Sequence, residues 1–355
     1  MSAGRRLVRL GLLLAALCLA LAVYLFQLLE HPRAPASPSE VTILFPFGTS
    51  TSEIFRRLAS EGVVRSAWVA EAYYRLARSA TPLQAGEYRF ARPTPLSQVI
   101  DRMNRGDVVR HAIVVPDGLT AEETFELFWT RGISRPQAFR NALTNPELIS
   151  SIARGAPDLE GFLFPDTYEV TRSTSARQIV ETILANFRRQ FTPELRERAR
   201  QNGMSARDAV TLASIVQKET SLPREAPLIA GVYWNRLRRG MRLQADPTVA
   251  YALKRDGKWT GTLYRSDYGY ESPYNTYLHD GLPPGPICNP GLAALKAAVS
   301  PAKTDFLYFV ADRSGGHTFS RTFEEHRDAI AASRRPKEAA SPPAPPPPHG
   351  NDSGT

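Results

Sequence analysis

Residues 208–220 read Asp-Ala-Val-Thr-Leu-Ala-Ser-Ile-Val-Gln-Lys-Glu-Thr. Leu212, Ile215 and Val216 stand at i, i+3 and i+4, the spacing of one face of an α-helix. Ser205, three residues before Asp208, supplies a capping pair, so a helix is expected over 205–220. Glu219 falls at i+7 on the same apolar stripe. A carboxylate there costs free energy unless it is paired, hydrogen-bonded or protonated, and desolvation raises its pKa. A carboxyl that keeps its proton near neutral pH suits a general acid. Spacing alone leaves a second reading open, a last-turn glutamate reaching solvent or forming a structural ion pair. Ser214 and Lys218, at i and i+4, are a competing nucleophile and base. Their S-x-x-x-K spacing departs from S-x-x-K, and neither S-D-N nor K-T-G occurs.

On either side of this stretch, helices are expected at 176–190, 193–202 and 226–239, the last stopped by Gly240. Beyond Met241 the chain is rich in Gly, Pro, Tyr, Asn and Asp, so loops are expected, with strands at 306–311 and near 317–320. Three segments combine aromatic faces with amides and carboxylates: 160–168 with Glu160, 244–248 with Asp246, and 274–277 with Asn275 and Tyr277. Sugar binding needs that combination, although each segment singly reads as a turn or as core packing. The six histidines are scattered without H-E-x-x-H, and Cys288 has no neighbouring thiol. No metal or other cofactor is therefore expected.

Toward the N-terminus, Pro46-Phe47-Gly48-Thr49-Ser50 is echoed 70 residues later by Pro116-Asp117-Gly118-Leu119-Thr120. Each copy follows an extended apolar run and opens a helix with a capping box, Ser50/Glu53 or Thr120/Glu123. The first copy continues through a second helix at 68–77 to a strand at 86–90, giving a β-α-α-β unit. The alternative is a chance likeness of two strand-turn-helix segments.

Residues 10–29 are uncharged and mostly Leu, Ala and Val, long enough at about 1.5 Å per residue to span a ~30 Å hydrocarbon core. Arg5, Arg6 and Arg9 precede them, which places residues 1–9 in the cytoplasm and the remainder across the membrane. A cleaved signal peptide is the competing reading. Residues 30–40 read as a linker, and 333–355, with the run Pro-Pro-Ala-Pro-Pro-Pro-Pro, as a disordered tail. The net charge of +9 on 355 residues favours anionic partners, but no dense basic run interleaves with aromatics, so nucleic acid is not expected.

Read together, L-E-G-F-L-F-P-D-T-Y, L-A-S-I-V-Q-K-E-T, N-R-L-R-R-G-M-R-L-Q-A-D-P-T-V, Y-N-T-Y, G-L-P-P-G-P-I and P-A-K-T-D-F-L-Y-F-V-A-D-R-S-G-G-H-T-F resemble the endolytic murein transglycosylase, or YceG-like, family over residues 159–323. The resemblance implies an α+β fold: an N-terminal transmembrane helix, a LysM-like β-α-α-β subdomain at 41–110, and a mixed helix and strand catalytic region at 111–332. It implies a lytic transglycosylase of peptidoglycan glycan strands that leaves 1,6-anhydromuramyl ends, anchored in the bacterial inner membrane with its catalytic region periplasmic. Peptidoglycan synthases, the penicillin-binding proteins, are the implied partners. The family's acidic residue maps onto Glu219. Many members carry E-K-E where this chain has Gln217-Lys218-Glu219, which favours Glu219 as the catalytic acid and base. Glu160, Asp246, Asn275 and Tyr277 are candidates for holding substrate. A non-catalytic glycan-binding protein and a Ser-Lys hydrolase of peptide stems are the alternatives.

Overall fold

A computed structural model describes residues 3–30, 39–220 and 222–334. The expected linker and the proline-rich tail lie almost wholly outside the described residues. The first element is α1 (Ala3–Glu30), whose stretch 8–25 has a mean hydropathy of 2.3 and exposes its leucines. It is long and apolar enough to cross a membrane. Its last residue, Glu30, accepts hydrogen bonds from the backbone N–H and hydroxyl of Ser97.

Next comes the expected β-α-α-β unit: β1 (Ser39–Phe45), α2 (Thr51–Ser60), α3 (Ala67–Tyr73) and β2 (Gly86–Arg92). Ser50 accepts from Glu53 N and starts α2, and α3 runs on into a π-turn over Tyr74–Arg78. β1 and β2 pair antiparallel from Ser39↔Arg92 to Phe45↔Gly86. Their inward residues Ile43, Phe45, Tyr88 and Phe90 meet Phe55 and Leu58 of α2 and Val99, Ile100 and Met103 of α4 (Leu96–Arg105). That helix was not legible in the sequence.

A second, larger core begins with β3 (His111–Val114), α5 (Ala121–Trp129) and α6 (Pro136–Leu143). β4 (Thr167–Val170) closes it, antiparallel to β3 from His111↔Val170 to Val114↔Thr167. The echo between 46–50 and 116–120 is thus structural. Both copies are β-α-α-β, both turn at a left-handed glycine, Gly48 or Gly118, and both cap the next helix at the third residue. The units are stitched together at Glu87 of β2. Its backbone O accepts from Val109 N (2.7 Å), and its buried carboxylate meets His111 Nε2 (2.5 Å) and Arg172 Nε (3.0 Å).

The rest of the larger core is helical: α7 (Ala176–Gln190), α8 (Pro193–Gln201), α9 (Ala206–Glu219), α10 (Ala226–Arg238), α11 (Asp246–Arg255) and α12 (Leu292–Val299). A hairpin of β5 (Tyr308–Ala311) and β6 (His317–Ser320) and then α13 (Phe323–Arg334) complete the described chain. The expected helices 176–190, 193–202 and 226–239 match α7, α8 and α10 to within a residue. α9 departs from a one-sided amphipath, since every residue from Ala209 to Val216 is buried. α8, α10, α11 and α12 surround it, so it is the central helix. Long loops remain at 256–291, but α11, α12 and α13 stand where loops were expected.

Candidate active site

Glu219 is the last residue of α9, where the buried helix emerges into a cleft of about 500 Å³. The floor is Glu219, Tyr233 and Arg236, the last two one turn apart on α10. Asp246 and Tyr277 form one wall, and Phe309 and His317 of the β5–β6 hairpin form the other. Phe323, His326 and Ile330 of α13 line the rim.

The carboxyl of Glu219 is half-buried, and desolvation pushes its pKa up to about 7. The Tyr233 hydroxyl donates to Oε1 at 2.6 Å and opposes that rise by favouring the ionised form. The negative charge of Asp246 adds to it, while His317 and Arg236 oppose it. The balance leaves a carboxyl that exchanges its proton near neutral pH.

Arg236 braces the cleft. Although buried, it donates from Nε to Leu307 O (2.7 Å) and from Nη1 to Leu243 O (2.6 Å), and its guanidinium lies over the Tyr308 ring at 5.2 Å. One side chain therefore ties α10 to both walls. Between Leu243 and Ala245, Gln244 adopts a left-handed φ of 49° and donates its N–H to Thr276 O (3.1 Å). Such a conformation costs a non-glycine residue about 1 kcal/mol and persists where its surroundings enforce it. Here it turns Asp246 into the cleft at the start of α11. Asp246 is exposed and accepts from Tyr277 Oη (2.5 Å) and Tyr268 Oη (3.3 Å), whose rings pack edge to face at 4.6 Å.

Of the five residues singled out from sequence, the fold brings Glu219, Asp246 and Tyr277 together in the cleft. Asn275 stands behind it, fully buried. Its Nδ2 donates to Tyr268 O and Tyr270 O, and its Oδ1 accepts from Tyr277 N, so it shapes the loop that presents both tyrosines. Glu160 is away from the cleft, buried against the start of α5, where Ala121 N donates to its carboxyl at 3.0 Å. Burial, reinforced by Asp158, pushes its pKa up to about 8, so it holds its proton at neutral pH. Gly161 beside it has φ of 86°, and an added Cβ would lie 2.3 Å from Pro286.

The neighbours of Glu219 face elsewhere. Gln217 Oε1 accepts from Gly291 N at the start of α12 (3.0 Å), and Lys218 Nζ donates to Gly118 O (3.3 Å). Ser214 is fully buried, donating to Thr211 O and accepting from Ile287 N, with no hydrogen bond to Lys218. Sequence reasoning did not single out Tyr233, Arg236 or His317. Tyr233 and Arg236 lie at i and i+3 in a helix buried on most of its faces, and only contact with Glu219 across the fold marks them.

Fold and cleft set one carboxyl of raised pKa at the end of a buried helix, a candidate general acid and base. The model of the YceG-like family matches residues 43–332, and the chain belongs to that family. The endolytic murein transglycosylase of Bacillus subtilis (strain 168) is 30% identical over 317 residues, covering 85% of this chain and 87% of that protein. The protein of the same name from Streptococcus pneumoniae (strain D39) is 28% identical over 324 residues. That match covers 83% of this chain and 58% of the longer pneumococcal protein. A crystal structure of a yceG-like protein from Listeria monocytogenes matches with a TM-score of 0.53 and 31% identity, over 82% of this chain and 99% of that one.

Proposed function

We propose that this chain is an endolytic murein transglycosylase. It breaks the glycosidic bond between N-acetylmuramic acid and N-acetylglucosamine without water. The observation that carries this reading is Glu219, a carboxyl with a pKa of about 7 on the floor of a cleft lined by aromatic rings and the Asp246 carboxylate. Protonated Glu219 gives its proton to the glycosidic oxygen as the bond to the muramyl C1 breaks. The muramyl C6 hydroxyl then closes on C1, and its proton passes to the Glu219 carboxylate. The 1,6-anhydro ring forms, and the acid is regenerated. Because the nucleophile is internal and already close, no second carboxyl is needed to activate water. Asp246 and Tyr277, joined by their 2.5 Å hydrogen bond, position the sugar. Asn275 and Glu160 act through the segments they hold.

In this reading α1 anchors the chain in the inner membrane, residues 1–9 are cytoplasmic and the catalytic region 111–332 is periplasmic. The unit at 41–110 is a LysM-like subdomain, a reading supported by its β-α-α-β order and antiparallel strands. Peptidoglycan synthases are the partners, so that cutting trims or terminates nascent strands.

The test is digestion of purified sacculi by the protein in detergent, with products weighed by mass spectrometry. Anhydromuramyl ends are expected, and Glu219→Gln should abolish them. Reducing ends or cut peptide stems would refute the reading.

A further inference from the structure

One helical segment of the smaller unit leaves two large apolar side chains open to solvent: Trp68 is 78% exposed and Leu76 is 89% exposed. They stand on α3 and the π-turn that continues it, eight residues apart with Ala72 between them. In a regular α-helix residues eight apart differ by about 80° in direction, and the wider π-turn narrows that angle, so both side chains share the outer face. The inner face is spent on the smaller core, where Ala70 and Tyr74 are buried. Arg65 and Arg75, both exposed, flank the apolar pair.

Three contacts set this segment beside the end of α1. Glu30 Oε1 accepts from Ser97 N at 3.3 Å, in the first turn of α4. One turn further along α4, Asp101 Oδ1 meets Arg78 Nη1 at 3.1 Å and holds the π-turn. Three residues before Ser97, Thr94 N donates to Val63 O at 3.0 Å and holds the chain just ahead of α3. The segment is therefore fastened at both ends to the stretch of chain that receives Glu30. Residues 10–29 are uncharged, so Glu30 is the first charged side chain beyond the apolar stretch, the position that meets the headgroups when such a helix spans a bilayer. Phe47, also exposed, stands beyond the end of β1 remote from Ser39 and takes no part.

The chemistry of the face matches the boundary between lipid and water. An indole suits a place where one edge is apolar and the other wet, a leucine gains free energy by leaving water for acyl chains, and arginines are drawn to anionic headgroups. We propose that the outer face of α3 is seated on the lipid surface, with Trp68 and Leu76 entering the headgroup region and Arg65 and Arg75 meeting lipid phosphates. This is a second hold on the bilayer, separate from α1. Because the two units are stitched at Glu87, it keeps the cleft at one height above the lipid. The inference rests on the reading of α1 as a membrane anchor.

The experiment uses the full chain reconstituted in vesicles of phosphatidylethanolamine and phosphatidylglycerol, with or without bromine near the top of the acyl chains, and reads tryptophan fluorescence. α1 has no tryptophan. Trp129 and Trp234 pack on the larger core, and Trp259 lines a small cavity beside α11. Brominated lipid should therefore quench one tryptophan's share of the emission of four, and Trp68→Phe should abolish that quenching. Leu76→Asp adds a charge at an exposed position, so it should remove most of the quenching and leave the melting temperature unchanged. Quenching that is absent in the parent, that persists in Trp68→Phe, or that Leu76→Asp leaves intact would overturn the proposal. Flotation in a density gradient tests the anchor separately. Protein that floats with the vesicles while Trp68 stays unquenched keeps the anchor and loses this surface; protein that does not float refutes both.

Discussion

Replacing Tyr233 by Phe removes one oxygen from the site and leaves the ring against Phe309. The lost hydrogen bond, 2.6 Å to Glu219 Oε1, favours the ionised carboxyl. A hydrogen bond to a charged group contributes about 1.5–3 kcal/mol, and one pH unit of pKa corresponds to about 1.36 kcal/mol. Some of the loss is recovered by water, since Glu219 is only half-buried. The Glu219 pKa should therefore rise from about 7 to roughly 8. The reaction needs Glu219 protonated at the outset, so the alkaline limb of kcat/KM should move up by about one pH unit. The assay is release of anhydromuramyl products from sacculi between pH 5 and 10. A limb that stays in place or moves down would show that Tyr233 does not hold Glu219 in its ionised form, or that another group sets the limb.

Asp246→Asn has the opposite sign. It removes the negative charge that raises the Glu219 pKa, so the alkaline limb should move to lower pH, with KM raised as Tyr277 exchanges a charged acceptor for a neutral amide oxygen. Glu160, with its folded pKa near 8 against about 4.3 unfolded, should contribute stability that is complete at acid pH and is lost as pH rises through 8. Glu160→Gln stays neutral, so its melting temperature should exceed that of the parent at pH 9 and match it at pH 4; equal melting at both would exclude a buried proton there. Asn275→Ala should cost about 2–4 kcal/mol by urea denaturation, because three part-buried backbone groups lose their partner, and should raise KM more than it lowers kcat.

The helices of the larger core were legible because their apolar spacing and their caps agree: Ser175 before α7, Thr192 before α8 and Ser205 before α9 each accept from the third helical N–H. The echo at 116–120 predicted a strand, turn and helix, but not the closing strand β4, because residues 144–166, a 3₁₀ turn among them, separate α6 from it. α11 and α12 were missed for a local reason. Asp246-Pro247 reads as a turn, Gly291 follows a proline, and neither helix has a side-chain cap bonded at its N-cap. α4 likewise starts behind Pro93 and Pro95 without a capping side chain. At the site, Glu219 was legible because a carboxylate on a buried stripe is anomalous within one helix. Tyr233, Arg236 and His317, whose Nδ1 lies 2.7 Å from Glu225 Oε2, are ordinary in their own elements. Their roles arise from contacts spanning 14 residues for Tyr233 and Glu219 and 92 for Glu225 and His317, which no local pattern encodes.

The stitch at Glu87 has a mechanical side. Tension entering the folded body at Ser39 meets β1 where it lies opposite Arg92, the point at which the chain leaves β2. With nothing further, that geometry is a zipper, and the β1–β2 rungs would open in succession. The hydrogen bond from Val109 to Glu87, with Arg172 and His111 on the Glu87 carboxylate, moves the exit of the load to the residue opposite Leu44. Force then runs along β1 from Ser39 to Leu44 and loads those rungs side by side. A ribbon that would peel becomes one that must be sheared, and a pull at Ser39 is carried to the larger core across rungs loaded together.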